Sequence, residues 1–385
     1  MKVFTQDEKI QMLADIIAIK SVNENEIEVA NYLKELFSKY GIESKIVPVT
    51  ETRVNLIAEI GSGAPVVGIS GHMDVVSAGD EAEWASDPFA LTERDGKLFG
   101  RGTNDMKAGL LNLALTMIEI KENNELQRGT IRFMATTGEE VGAAGSKKLY
   151  EEGYMEDVDC LFVAEPSHDT IIYSHKGSLN FRITSNGEAA HSSMPYNGYN
   201  AINPLMKYLL ELDNALNQDL RQNEVLGELV MSTTIFNAGD QVNSVPANAV
   251  AEINVRTIPE FDNDEVIALF KETADKYNAE GSDIKVEVTM SLPSVFTNGQ
   301  SKMVEWTKEL GKKYLGFDIR QEGSPGVTDA SNLLRGKDED FPFMMFGPGE
   351  TKMAHKVDEY VYKEYYLAFF DLYKELILKL AHEEA

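Results

Sequence analysis

Val66-Val67-Gly68-Ile69-Ser70-Gly71-His72-Met73-Asp74 is the stretch on which the fold turns. It opens as a short run of small and apolar residues, the pattern of a strand covered on both faces. A His-x-Asp follows at once. Two later runs repeat the design: 130–135 leads to Gly138-Glu139-Glu140, and 160–164 leads to Glu165. Between the runs, apolar spacing predicts helices over 106–120 and 145–152. Strand alternating with helix argues an α/β fold with a mostly parallel central sheet covered by helices. Open α/β sheets bind ligands beyond the carboxyl ends of their strands. His72, Glu139, Glu140 and Glu165 all fall there.

Outward from this core, 24–40 reads as an amphipathic helix, with Ile27, Ala30, Leu33, Leu36 and Phe37 on one stripe. From about Lys176 the pattern changes. Runs at 178–183, 249–255 and 284–288 alternate as half-buried strands, with helices over 201–216 and 264–277. The α/β pattern resumes after Leu292 with a helix at 302–314, a strand at 343–346 and a closing helix from Lys363. The expected organisation is one discontinuous domain, 1–175 and 291–385, interrupted by an α+β domain over 176–290. His355 lies in the last section, so chain on both sides of the insert completes the site.

A formal net charge of −27 would repel nucleic acid and anionic membrane, which argues against both as partners. No apolar run approaches the ~20 residues of a membrane span. The first residues lack an apolar signal core, so a cytoplasmic location is expected. The single cysteine, Cys160, sits in an apolar run and reads as a buried thiol that cannot form an intramolecular disulfide. No G-x-G-x-x-G follows a strand, and Gly100-Arg101-Gly102 is too little to suggest a dinucleotide site.

The chemistry-bearing residues suit a metal pair. Zinc takes imidazole and carboxylate ligands, and its catalytic sites keep a place for water. If 72–74 is extended, Asp74 can orient His72 through its other ring nitrogen. Asp105 precedes a helix and can bridge two ions. Of the adjacent Glu139 and Glu140, one can bind metal while the other takes a proton from water. Each has a plainer alternative. His72 can be a structural hydrogen-bonding group, Asp105 a helix cap, and Glu139-Glu140 a solvated pair. Their joint occurrence at strand ends favours the site. Glu165 adds weight, because a carboxylate ending an apolar strand is costly without a partner.

Taken together, 70–76, 100–109 and 136–140 resemble the dinuclear zinc amidohydrolases, a family that includes succinyl-diaminopimelate desuccinylase, acetylornithine deacetylase, aminoacylase, carboxypeptidase G and several di- and tripeptidases. The resemblance covers essentially the whole chain. It implies two Zn2+ per subunit, with Co2+ or Mn2+ as possible substitutes. His72 and Glu165 would hold one ion, Glu140 and His355 the other, and Asp105 would bridge. Glu139 would be the general base and Asp74 would tune His72. The 176–290 segment resembles the family's lid, or dimerisation, domain, which implies a homodimer.

The resemblance also assigns His191 to polarising the scissile carbonyl, although alone it reads as a polar loop residue before a proline turn. Asn243 and Arg256 match the family's contacts to a substrate carboxylate; Arg256 can equally end an exposed strand. The run 323–330, with Gly323, Ser324 and Thr328, is expected to open a helix whose N-terminus binds an anion. The motifs look most like the desuccinylase branch. The expected substrate is therefore a small N-acyl amino acid, N-succinyl-LL-2,6-diaminopimelate foremost. Alternatives are N-acetylornithine, a di- or aminopeptidase substrate, or a non-catalytic binding protein of the same fold. Candidates for a second substrate carboxylate are Lys176, Arg182, Ser192 and Tyr196.

Overall fold

Apolar runs without alternation need cover on both faces, and the chain supplies it with helices. The computed structural model describes residues 2–383. They form two units: one comprises the chain up to Tyr173, Thr297–Glu322 and the chain from Thr328 onward, and the other Ser174–Phe296 with Gly323–Val327.

The first unit is built on an eight-stranded sheet. Its order is Ser44–Pro48, Val54–Ser62, Gly129–Thr136, Val66–His72, Cys160–Pro166, Phe343–Gly347, Thr170–His175 and Arg320–Ser324. The four central strands, from Gly129–Thr136 to Phe343–Gly347, run parallel. Every residue in them is buried. The helix Lys107–Glu122 packs on the Val66–His72 strand and is buried along nearly its whole length. That fits a sequence apolar on all sides rather than on one stripe. Close packing is imposed at Ala164 from two directions. A Cβ on Gly109 would lie 2.3 Å from the Ala164 carbonyl oxygen, and one on Gly347 2.2 Å from the same atom. Only glycine lets helix and strand approach this closely, and the strand they press is the one that carries Glu165 next to its end.

The second unit is an antiparallel sheet in the order Val230–Ala238, Asn248–Arg256, Ser178–Asn186, Ile284–Leu292. Alternation sets its faces: Ala249, Ala251, Ile253 and Val255 are buried, and the residues between them are not. The helices Ile202–Gln218 and Asn263–Ala279 cover the apolar face. There Phe181 stacks on Phe270 at 4.0 Å between ring centroids.

The run 323–330 does lead into a helix, but a short one. Gly323 and Ser324 finish the strand Arg320–Ser324, and the helix that follows is a single turn, Ala330–Leu333. Pro325 and two glycines resist helix formation, so the helix starts only at the end of the run, at Ala330. Among the described residues no helix is long and apolar enough to cross a membrane.

Candidate metal centre

The parallel strands deliver their polar ends to one place. His72 ends its strand, 1% exposed, and its Nε2 lies 3.1 Å from Asp105 Oδ1. The other Asp105 oxygen lies 3.6 Å from His355 Nε2, and His355 Nε2 lies 2.9 Å from Glu140 Oε2. One carboxylate thus faces two imidazoles with different oxygens, the arrangement a bridging ligand needs. Ligand atoms of His72, Asp105 and Glu140 fall within 4.8 Å of one another. Glu165 lies next to the end of the neighbouring strand, and its buried Oε1 has no hydrogen-bonding partner. A buried charged oxygen without a donor is expensive, and a cation is the partner this cluster lacks.

The electrostatics agree. Burial pushes Glu165 up to about 8, opposed by His72 and reinforced by the charges of Asp105, Asp329 and Glu140. Burial likewise drives Glu139 well above the carboxylate range, with His72 opposing and Glu165 and Glu140 reinforcing. Burial disfavours a charge on His72, yet the Asp105 hydrogen bond and the Glu165 and Asp74 carboxylates lift its pKa well above normal. Crowded carboxylates around one buried imidazole form a site short of positive charge.

Asp74 acts differently from the expectation. His72 Nδ1 is 2.9 Å from the Asp74 backbone carbonyl, whereas the nearest Asp74 carboxylate oxygen is 3.7 Å away. The imidazole is oriented by main chain. The Asp74 side chain instead accepts the N–H groups of Gly138, Glu139 and Glu140, at 2.9, 3.2 and 3.1 Å. Gly138 has φ +72°, and the turn it starts carries both glutamates. Asp74 fixes that turn by its backbone. Periodicity places Asp74 near the site but cannot show that its acceptor capacity is spent 64 residues away.

The remaining expected residues divide between the two units. Thr328 belongs to the first unit, where its hydroxyl accepts the Ala330 N–H at 3.3 Å. His191, Asn243, Arg256, Gly323 and Ser324 belong to the second unit. His191 is exposed on a two-stranded ribbon, Ala190–His191 with Ser244–Val245, and its Nδ1 lies 2.8 Å from Ser193 Oγ. The Asn243 carbonyl accepts the Ser192 N–H at 3.0 Å, which joins the two arms of this ribbon. Arg256 ends its strand half-buried, and burial lowers its pKa. Of the four residues considered for a second carboxylate, Arg182 is paired with Glu252 at 2.6 Å and Lys176 donates to the Glu228 carbonyl. Ser192 and Tyr196 are exposed.

Three buried residues near the cluster were not singled out from sequence: Arg101, Glu359 and Asp329. Asp329 accepts from the Thr136 hydroxyl at 2.5 Å, beside the register position of His72. In a chain rich in acidic residues nothing local distinguishes Glu359 and Asp329 from surface carboxylates.

Residues 68–379 match the family described as Peptidase family M20/M25/M40. The chain belongs to this family. It is 42% identical to a probable succinyl-diaminopimelate desuccinylase of Staphylococcus epidermidis, with 98% of each chain covered. Among solved structures, an M20 family metallo-carboxypeptidase of Sulfolobus solfataricus superimposes with TM-score 0.81 at 21% identity, covering 97% of this chain and 99% of that one. A Staphylococcus aureus tripeptidase does so with TM-score 0.78 at 22% identity, covering 98% and 99%. At such identities the two structures speak for the α/β fold alone. Family membership and the named relative make the chain a hydrolase of amide bonds, and a small molecule its substrate.

Proposed function

We propose that this M20 hydrolase cleaves the amide of an N-acyl amino acid, and that N-succinyl-LL-2,6-diaminopimelate is its substrate, yielding succinate and LL-2,6-diaminopimelate. The observation that carries the reading is the convergence of His72, Asp105, Glu140 and His355 at the carboxyl ends of the parallel strands. The name of the full-length Staphylococcus epidermidis relative supports the substrate.

In this reading His72 and Glu165 would hold one zinc and Glu140 and His355 the other, with Asp105 a ligand to both. Co2+ or Mn2+ would suit the same donors. Bound metal would acidify a coordinated water and polarise the substrate carbonyl. The chain's own work is proton handling and orientation. Glu139, its basicity raised by burial, takes the proton as water oxygen bonds to the carbonyl carbon. It returns that proton to the amine nitrogen as the C–N bond breaks. His191 donates to the carbonyl oxygen while negative charge grows there. Arg256 and Asn243 grip the amino-acid carboxylate, Arg256 bidentately, with the backbone at Gly323, Ser324 and Thr328 beside it. The 176–290 segment serves as lid and joins a homodimer; exposed Val230, Ile235 and Phe236 on its edge strand support a surface of that kind.

The test is amine release from N-succinyl-diaminopimelate, N-acetylornithine and a dipeptide panel, with chelated and zinc-reconstituted protein. Zinc-dependent preference for the succinyl compound is expected. Preference for any other member of the panel discards the substrate and keeps the reaction.

A further inference from the structure

Asp74 is not alone in holding a ligand-bearing turn by its backbone. Glu359, fully buried and four residues beyond His355, does so for Asp105. Its Oε1 accepts the N–H groups of Gly102, Asn104 and Asp105 at 3.1, 2.8 and 2.9 Å. Its Oε2 pairs with the Arg101 guanidinium. Arg101 reaches on with Nη2 to the Ser77 carbonyl at 3.2 Å and the His355 carbonyl at 3.5 Å. A second tie runs alongside. Asn104 Oδ1 accepts the Glu350 N–H at 2.6 Å, and Asn104 Nδ2 donates to the Glu350 carbonyl at 3.1 Å.

We propose that Glu359 is a positioning residue of the metal centre: it sets the 102–105 turn so that the two Asp105 oxygens face His72 and His355, and through Arg101 it holds the His355 segment to the same frame. The inference rests on the metal reading above. The argument is one of geometry and acceptor capacity. Burying a carboxylate costs several kcal/mol unless donors surround it, and here four donors converge on two oxygens. Three of them are main-chain groups of the turn that ends in Asp105, one being Asp105's own N–H. That bond constrains the backbone from which the bridging side chain departs. A carboxylate serving the fold alone would be indifferent to which N–H groups it collected. This one collects those that aim a proposed ligand, from a position in the same segment as another.

The Glu359→Gln variant keeps the shape but sets an amide against N–H donors and loses the charge facing Arg101. The probe is Co2+ alone, titrated into metal-free protein and followed by calorimetry and by the visible d–d spectrum. Outer groups that orient metal ligands commonly contribute ten- to a hundredfold in affinity. Glu359→Gln is therefore expected to weaken Co2+ binding about tenfold or more and to alter the spectrum, with helical content of the metal-free protein retained. Glu359→Asp keeps the charge but falls one methylene short, and is expected to give a smaller loss with a folded chain. Wild-type affinity and spectrum in either folded variant overturn the proposal. Wild-type protein that binds no Co2+ overturns the metal reading itself, an outcome distinct from failure of the brace.

Discussion

The two units carry most of their proposed site residues in different manners. In the first, His72, Asp74 and Glu165 are buried and Asp105 and Glu140 nearly so, with His355 the exposed member of the set. Each turn there is tied by hydrogen bonds to chain dozens or hundreds of residues away. In the second, His191 and Asn243 are exposed at a ribbon whose arms are two residues long, and Arg256 is half-buried. The difference separates two demands. Ligands that gather like charges must be held before the ion arrives, since they repel one another without it. Groups that meet a substrate need only be presented, and can be ordered by what they touch.

This contrast breaks if substitutions in the two units have the same signature. The largest effect is expected from His72→Ala or Asp105→Ala: loss of zinc by elemental analysis and of activity beyond ~10⁴-fold, as metal acidification of water disappears. Glu139→Gln comes next, with turnover down roughly 10²–10⁴-fold and metal content unchanged. Loss of metal there would show that Glu139 is a ligand and not the base. His191→Ala is expected to lower kcat by about 10²–10³-fold, leaving zinc stoichiometry and melting temperature as in the wild type. A shift in either would bring the exposed ribbon into the held class. Asp74→Asn, which turns an acceptor into a donor against the N–H groups of 138–140, is expected to cost about ten- to a hundredfold in metal affinity.

The smallest effect sharpens the view of the second unit. His175 is buried, and burial lowers its pKa to about 4, opposed by its hydrogen bond to the Lys176 carbonyl and helped by Arg256. Between that value and the ordinary one near ~6.5 the unfolded chain binds a proton that the folded chain does not. Stability is thus complete above that range and falls as pH drops toward 4, by an amount on the order of 1–3 kcal/mol. His175→Asn should flatten this slope in urea melts at pH 4–7, and a slope unchanged by the substitution would place the titration elsewhere.

Legibility followed the range of the interactions. Fully buried parallel strands such as Val66–His72 and Cys160–Pro166 announce themselves as apolar runs, and their ends place the ligands. The sheet of Thr92–Arg94, Lys97–Phe99 and Tyr360–Tyr362 has strands of three residues, too short for any period to register. The run 323–330 shows that a helix opens but not that it is one turn long, because a glycine- and proline-rich run resembles a helix entrance as much as a loop. Spacing brings Asp74 to His72 but cannot tell its carboxylate from its carbonyl, and it is the carbonyl that meets His72 Nδ1. Glu359 was invisible: its N–H donors lie more than 250 residues upstream, and one glutamate among so many carries no local mark.

Gly109 and Gly347 press on Ala164 from either side, and this has a consequence for how the chain can drift. Neither has a side chain to offer to chemistry, yet any other residue at either position adds at least a methyl carbon 2.3 or 2.2 Å from the Ala164 carbonyl oxygen. In a saturation library selected for activity, these two positions are expected to tolerate as little as the ligands do, and to be lost alongside Glu165. Intolerance in such a map would therefore mark neighbours of the site as well as members of it.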